Sequence, residues 1–265
     1  MKKSFAVKFG IYLIIAFLVA VYLFPLFYVF NTSLKTESEF IKNTMSIASS
    51  LHFENYLDAW NQANFGGYVL NSLLYMIVCT VLSLLLAIFM AFPIARNYFK
   101  FGGILYGAFL AGMFLPDGTI PQFRMLLSFG LYNTRLGYML GFITGGGVTL
   151  FMFVSYIKGI PKELDEAAID GCGYFRFIFT ILIPLMKPAI ASMAILQALS
   201  VWNDIIRAVI YLSDDSILPM TRGLYIFTGS FNNTWTLQMA ALIIVAAPIV
   251  VFYIIDGTLS GGVKG

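Results

Sequence analysis

Residues 68–95 contain no Asp, Glu, Lys or Arg. A helix needs about 20 apolar residues to cross roughly 30 Å of hydrocarbon, and this run exceeds that length. It is continuous rather than alternating, which favours a helix over a barrel strand. Five further apolar runs occupy residues 9–30, 101–116, 136–157, 188–212 and 237–255, and the run 101–116 is the shortest. With 60% hydrophobic and 11% charged residues, the chain carries more apolar surface than a soluble core of 265 residues can hide. These features predict an all-α membrane protein with about six transmembrane helices in a single domain over residues 1–265.

Loop charge predicts the orientation. An inside N-terminus places Lys2, Lys3, Lys8, Arg96, Lys100, Lys158, Lys162, Arg176, Lys187 and Lys264 in the inner loops and tails. The outer loops then hold Lys35, Lys42, Arg124, Arg135 and Arg222. This inner excess predicts cytoplasmic termini. No small-residue cleavage site follows the first run, so it reads as a retained span. Residues 31–67 form the long polar outer loop, in which FENYLDAW suits a short amphipathic helix. The net charge of +3 fits the inner bias and implies no nucleic acid. Cys79 and Cys172 fall in a span and an inner loop, where a bond between them is not expected. His52 has no clustered ligand partners in sequence, so no metal site is expected. No P-loop, HExxH or Ser-His-Asp pattern is present, which predicts a chain that is not itself an enzyme.

Charge and apolarity alternate most sharply in the inner loop, residues 158–188, around KELDEAAIDGCGYFRFIFTILIPLMKP. Pro161 suits a first helical turn, Lys162 to Asp170 reads as a short helix, and Gly171 is placed to stop it. Tyr174 to Ile183 is too short to span and is expected to lie along the inner surface. Pro184 and Pro188 then break the chain before the fifth run. The residues predict a helix-turn-helix elbow; the plainer alternative is an interfacial loop whose charges are merely solvated.

This loop resembles the EAA motif of ABC-importer permeases: Glu-Ala-Ala, three residues, Gly, nine residues, then Ile-x-Leu-Pro. The matching positions are Glu166, Ala167, Ala168, Gly171, Ile181 and Pro184. Only Ile169 and Asp170 separate Ala168 from Gly171, Ile183 stands where Leu is usual, and Cys172 where Ala is common. The missing residue turns Glu166 by about 100° on a helix and puts Asp165 six positions before the glycine. Either acid fits the motif's acidic role. NSLLYMIVCT, FPIAR, LYNTRLG and the terminal GGVKG resemble the carbohydrate-uptake branch, within it the smaller permease of the maltose transporter.

The resemblance implies a permease subunit of the bacterial cytoplasmic (inner) membrane, half of a pathway for a sugar or oligosaccharide. It implies a second homologous permease, two cytoplasmic ATPase subunits and an extracytoplasmic solute-binding protein. ATP and Mg would sit on the ATPases, with no cofactor in this chain. Asp165, Glu166, Ala167, Ala168, Asp170 and Gly171 would form the ATPase-coupling contact.

Within the fifth run, Asp204 and Arg207 stand at i, i+3, and charges inside spans usually face a cavity or each other. Trp202, Asn203, Asp204 and Arg207 are therefore the candidate substrate-pathway residues. The alternative is that Asp204 and Arg207 neutralise one another or hold a partner subunit. Gly137, Gly141 and Gly145 recur at a spacing that suits close helix packing. Pro25, Pro93 and Pro248 predict kinks. A self-contained secondary transporter or channel is the rival reading. It favours repeats, discontinuous helices and several intramembrane charges. A membrane assembly or sensory protein using the elbow only for docking is a further one.

Overall fold

The computed structural model describes residues 5–143, 146–161, 173–228 and 234–261, and these residues contain helices and no strand. Contacts divide the chain into two units, Met1–Gly66 with Met220–Gly265, and Gly67–Pro219.

In the first unit, α1 (Phe5–Ser33) covers the first apolar run and continues past it. The loop beyond it carries α2 (Glu37–Lys42) and α3 (Glu54–Gln62), the latter on the FENYLDAW segment. Later in the chain come α13 (Met220–Gly223), a 3-10 turn (Leu224–Thr228) and α14 (Trp235–Gly261). Helices α1, α2 and α3 all pack against α14. The Glu37 carboxylate accepts from Trp235 N and Thr236 N at 3.3 Å each and from Thr236 Oγ1 at 3.1 Å. An anion there satisfies unpaired N–H groups and suits the positive end of the helix dipole.

Lys35 is fully buried, and its ammonium donates to Asn43 O, Thr44 O and Ser46 Oγ at 3.1–3.2 Å. Asn31 fastens the same turn through Ser46 O and Ala48 N. Asn55 holds the carbonyls of Ser33 and Lys35. The polar loop is thus a hydrogen-bonded body rather than a tether. Lys35→Met keeps the stem and removes the donors. It is expected to cost about 2 kcal/mol, the range for stranded buried acceptors. Faster amide exchange over residues 43–48 checks this.

The second unit is built on α4 (Phe65–Ala95), which starts just before it, followed by α5 (Gly102–Gly112), α6 (Thr119–Ser128), α7 (Arg135–Leu140) and α8 (Gly147–Lys158). Then come α9 (Tyr174–Phe177), a π turn (Ile178–Leu182), α10 (Ile183–Leu185), α11 (Lys187–Trp202) and α12 (Ile206–Tyr211). A buried stripe runs along α4 through Tyr75, Cys79, Ala87, Ala91 and Phe92. Its later part, Ala87, Ala91 and Phe92, clusters with Leu150, Phe153, Val154 and Ile157, the i, i+3, i+4, i+7 face of α8, together with Phe177, Ile178 and Leu182. Small Ala87 and Ala91 let the backbones approach, which is how helices associate where lipid removes the hydrophobic drive.

Each predicted run carries helix; the run 101–116 is helical only over Gly102–Gly112, and two others are interrupted. Among the described residues, Val7–Ser33 of α1 and Phe65–Ala95 of α4 each have the length and apolarity to cross a membrane; the pair Tyr174–Leu185 and Lys187–Trp202, bent by 86°, makes a third if counted as one. The fourth run, residues 136–157, splits into α7 and α8. Gly147 opens α8 with φ +65°, a value that L side chains rarely adopt. Of the glycines at four-residue spacing, Gly137 lies in α7, Gly141 caps it, and Gly145 lies outside the described residues. The fifth run, residues 188–212, breaks between α11 and α12, where Asp204 Oδ2 accepts from Ala208 N at 3.1 Å. Asx side chains compete for backbone donors in this way. Pro184 removes the N–H that Thr180 O would receive. The preceding turn widens, with Ile183 N donating to Ile178 O, five residues back. Pro25, Pro93 and Pro248 all lie inside helices.

Candidate functional site

The four pathway candidates sit at the α11–α12 break. Trp202 is buried, Asn203 is exposed, and Asp204 and Arg207 are partly buried. The expected pair exists, with Arg207 Nη1 3.4 Å from Asp204 Oδ1. It belongs to a larger network. Tyr138 of α7 donates its hydroxyl to Asp204 Oδ2 at 3.3 Å. Arg207 also lies 3.7 Å from Asp117 Oδ2, and its guanidinium stands 5.0 Å from the Phe142 ring centroid. Tyr211 donates its hydroxyl to Thr119 O and Gln122 Oε1 at 3.0 and 2.9 Å. Thr119 donates to Asp117 through its hydroxyl and its N–H, which holds that carboxyl below the usual carboxylate range. Asp204 and Arg207 thus brace α6, α7 and α12 against one another.

A second cluster explains two segments of the resemblance. In LYNTRLG, Asn133 adopts φ +54°, and its Oδ1 accepts from Ser213 N and Asp214 N at 2.8 and 2.9 Å. Thr134 caps α7 by accepting from Gly137 N at 3.0 Å. Arg135 donates to Asn71 Oδ1 at 3.0 Å and to Ser216 O at 3.3 Å. From α4, Asn71 Nδ2 reaches Ser216 O and Leu218 O, while Tyr75 donates to Ile217 O at 2.6 Å. Together these residues latch the 213–218 loop to the second and third turns of α4 and to the start of α7.

The coupling candidates Asp165, Glu166, Ala167, Ala168, Asp170 and Gly171 lie outside the described residues. The chain on either side of them is described. Ile160 and Pro161 lead in, and Gly173 and Tyr174 lead out to a helical stretch that ends at the 86° bend between Pro184 and Pro188. Arg96 and Tyr174, unremarked as site residues in sequence, hold these two flanks at the end of α4. Their signal was the FPIAR segment, whose partners are far along the chain.

One arrangement in the polar loop was also missed. Ser50 Oγ lies 2.7 Å from His52 Nε2, and His52 Nδ1 lies 2.5 Å from Glu54 Oε1. The order matches a Ser-His-acid relay, but Ser50 and Glu54 are exposed. The His52 hydrogen bond holds the Glu54 carboxyl below its usual range, and the trio braces the start of α3.

Residues 63–265 match the family described as binding-protein-dependent transport system inner membrane component. A melibiose/raffinose/stachyose import permease of Bacillus subtilis is 31% identical over 96% of this chain and 95% of its own. A diacetylchitobiose uptake permease of Streptomyces coelicolor is 31% identical over 86% of this chain and 78% of its own. A solved bacterial ABC transporter involved in the import of the acidic polysaccharide alginate superposes with a TM-score of 0.84. That match covers 97% of this chain and 99% of the other at 21% identity, and so speaks for the fold.

Proposed function

The chain belongs to the family of binding-protein-dependent transport system inner membrane components, and we propose that it forms half of an ABC importer's path for a sugar or oligosaccharide. The solute class rests on one observation: relatives aligned over nearly the whole chain are named for oligosaccharide import. Membership makes this chain a membrane permease and not the catalytic subunit. The remaining assembly is our proposal: a second homologous permease, two ATPases holding ATP and Mg on the cytoplasmic side, and an extracytoplasmic binding protein. Both termini then face the cytoplasm, in line with the basic residues of the inner loops.

In this reading the segment from Asp165 to Gly171 docks in an ATPase cleft, with Asp165 or Glu166 as the acid. Nucleotide-driven closure of the ATPases shifts the permease pair outward, and hydrolysis resets it. Asn203 is the exposed pathway candidate at the helix break. Interrupted helices also occur in self-contained secondary transporters, which keeps that rival concrete.

Purification of the tagged chain tests both readings. Stoichiometric recovery of an ATPase and a second permease is expected, with ATP hydrolysis stimulated by one member of a sugar panel. Single replacement of Asp165 and of Glu166 in that complex then identifies the docking acid by loss of ATPase association. Solute transport by the purified chain alone would sink the importer reading.

A further inference from the structure

The last turns of α4 grip the chain on both sides of the acidic segment. On the leading side, Arg96 Nη1 and Nη2 donate to Ile160 O at 3.1 Å each, and Nη2 reaches Pro161 O at 3.4 Å. These carbonyls lie just past α8, where a helix leaves its last acceptors without partners and favours a cation. On the trailing side, the Tyr174 hydroxyl donates to Phe89 O at 3.2 Å. That carbonyl is open for a covalent reason. In a regular helix it would accept from residue 93, and Pro93 has no N–H to give.

Two features make this grip stiff. The Phe92 ring packs on the trailing flank, with the Tyr174 and Phe177 rings centred 6.0 and 5.2 Å away. Helix α4 ends in a paired stop, in which Asn97 at φ +56° donates to Ile94 O and Tyr98 N donates to Pro93 O. This Schellman arrangement fixes Arg96 at the C-cap, so its guanidinium starts from a defined backbone. Two members of FPIAR therefore act on the flanks. Pro93 frees an acceptor for one, and Arg96 supplies donors to the other.

We propose that this end of α4 is a two-point clamp on the arms of the coupling segment, with Arg96 and Tyr174 as positioning residues that convert displacement of that segment into displacement of α4. The inference rests on the importer reading and goes beyond it: the docking acid sets whether the ATPase binds, and the clamp sets how much of its stroke reaches the spans. An importer with a slack clamp still binds its ATPases and hydrolyses ATP, but moves less solute per ATP.

The test uses the complete transporter in proteoliposomes, with hydrolysis and uptake measured on the same vesicles. Arg96→Met is expected to lower solute moved per ATP about fivefold, within the span of coupling changes that single residues cause. Arg96→Lys, which keeps the charge but loses the fork, falls between Arg96→Met and wild type. Tyr174→Phe, which removes one oxygen and leaves the ring, lowers the ratio about twofold. Amide exchange on each purified full-length variant is the second readout. Faster exchange confined to residues 158–160 and 174–177 supports the clamp. A wild-type ratio in both Arg96→Met and Tyr174→Phe overturns the proposal, whatever the exchange shows. Loss of ATPase association in Tyr174→Phe also overturns it, because that residue would then act in docking. If the wild-type chain recovers no ATPase, the importer reading fails, and wild-type exchange in the variants separately rejects the clamp itself.

Discussion

Gly137→Ala is expected to abolish accumulation of folded protein, while Gly107→Ala leaves it unchanged. A Cβ at Gly137 would stand 2.1 Å from the carbonyl oxygen of Leu131 and 3.1 Å from Thr134 Oγ1. The first neighbour is backbone, and it cannot swing aside as a side-chain tip can. Leu131 O also accepts from the Thr134 hydroxyl at 2.7 Å, and that hydroxyl caps α7 at Gly137 N. Moving the carbonyl therefore undoes the cap and tilts Asn133 and Arg135, the residues that hold the 213–218 loop. A cost of about 3 kcal/mol or more follows from overpacking against immovable atoms, before the lost hydrogen bonds are counted. At Gly107 nothing lies within 4 Å of the added carbon. Detergent size-exclusion profiles and thermal melting of the two variants check this. A Gly137→Ala protein that melts with wild type would show that the Leu131–Gly137 turn leaves room for a methyl group.

That glycine shows where the sequence speaks and where it stops. Its motif, LYNTRLG, is legible as a family segment, and a four-residue glycine spacing suggests helix packing. The close approach is in fact to its own preceding loop, six residues back. Spacing alone cannot distinguish the two, because both ask only for a missing Cβ. The spans are more legible, since hydrocarbon demands long apolar runs whatever packs against them. Their interruptions were hidden in the same runs. Gly146 and Gly147 stand within the run 136–157 but open α8, and Asn203 and Asp204, read as pathway lining, sit where α11 stops. Partners at long separation were least legible. Nothing local ties Pro93 to Tyr174, yet the missing N–H of one creates the acceptor for the other.

Asp204 carries the remaining large effect, and it separates bracing from solute contact. Its Oδ2 accepts from Tyr138 Oη and Ala208 N, and its Oδ1 faces Arg207 Nη1, so both oxygens are occupied by protein. Asp204→Ala leaves Arg207 with Asp117 at 3.7 Å as its remaining anion and strands the Tyr138 hydroxyl. Removing one member of a half-buried pair in this way is expected to cost about 3 kcal/mol. Adding Arg207→Met removes the stranded cation while keeping an apolar stem over Phe142, and should restore about half of that loss. Asp204→Asn keeps an acceptor for Tyr138 or Ala208 and is expected to stay folded. In the assembled importer that variant should keep the solute concentration for half-maximal ATPase stimulation within about twofold of wild type. A residue that hydrogen-bonds a sugar hydroxyl through a charged oxygen would instead shift it tenfold or more, since such bonds contribute about 1.5–3 kcal/mol. A tenfold shift in a fully folded Asp204→Asn protein would return Asp204 to the pathway. Recovery of melting temperature in the double variant, with solute affinity intact, identifies it as the brace that keeps α6, α7 and α12 in register while the unit moves.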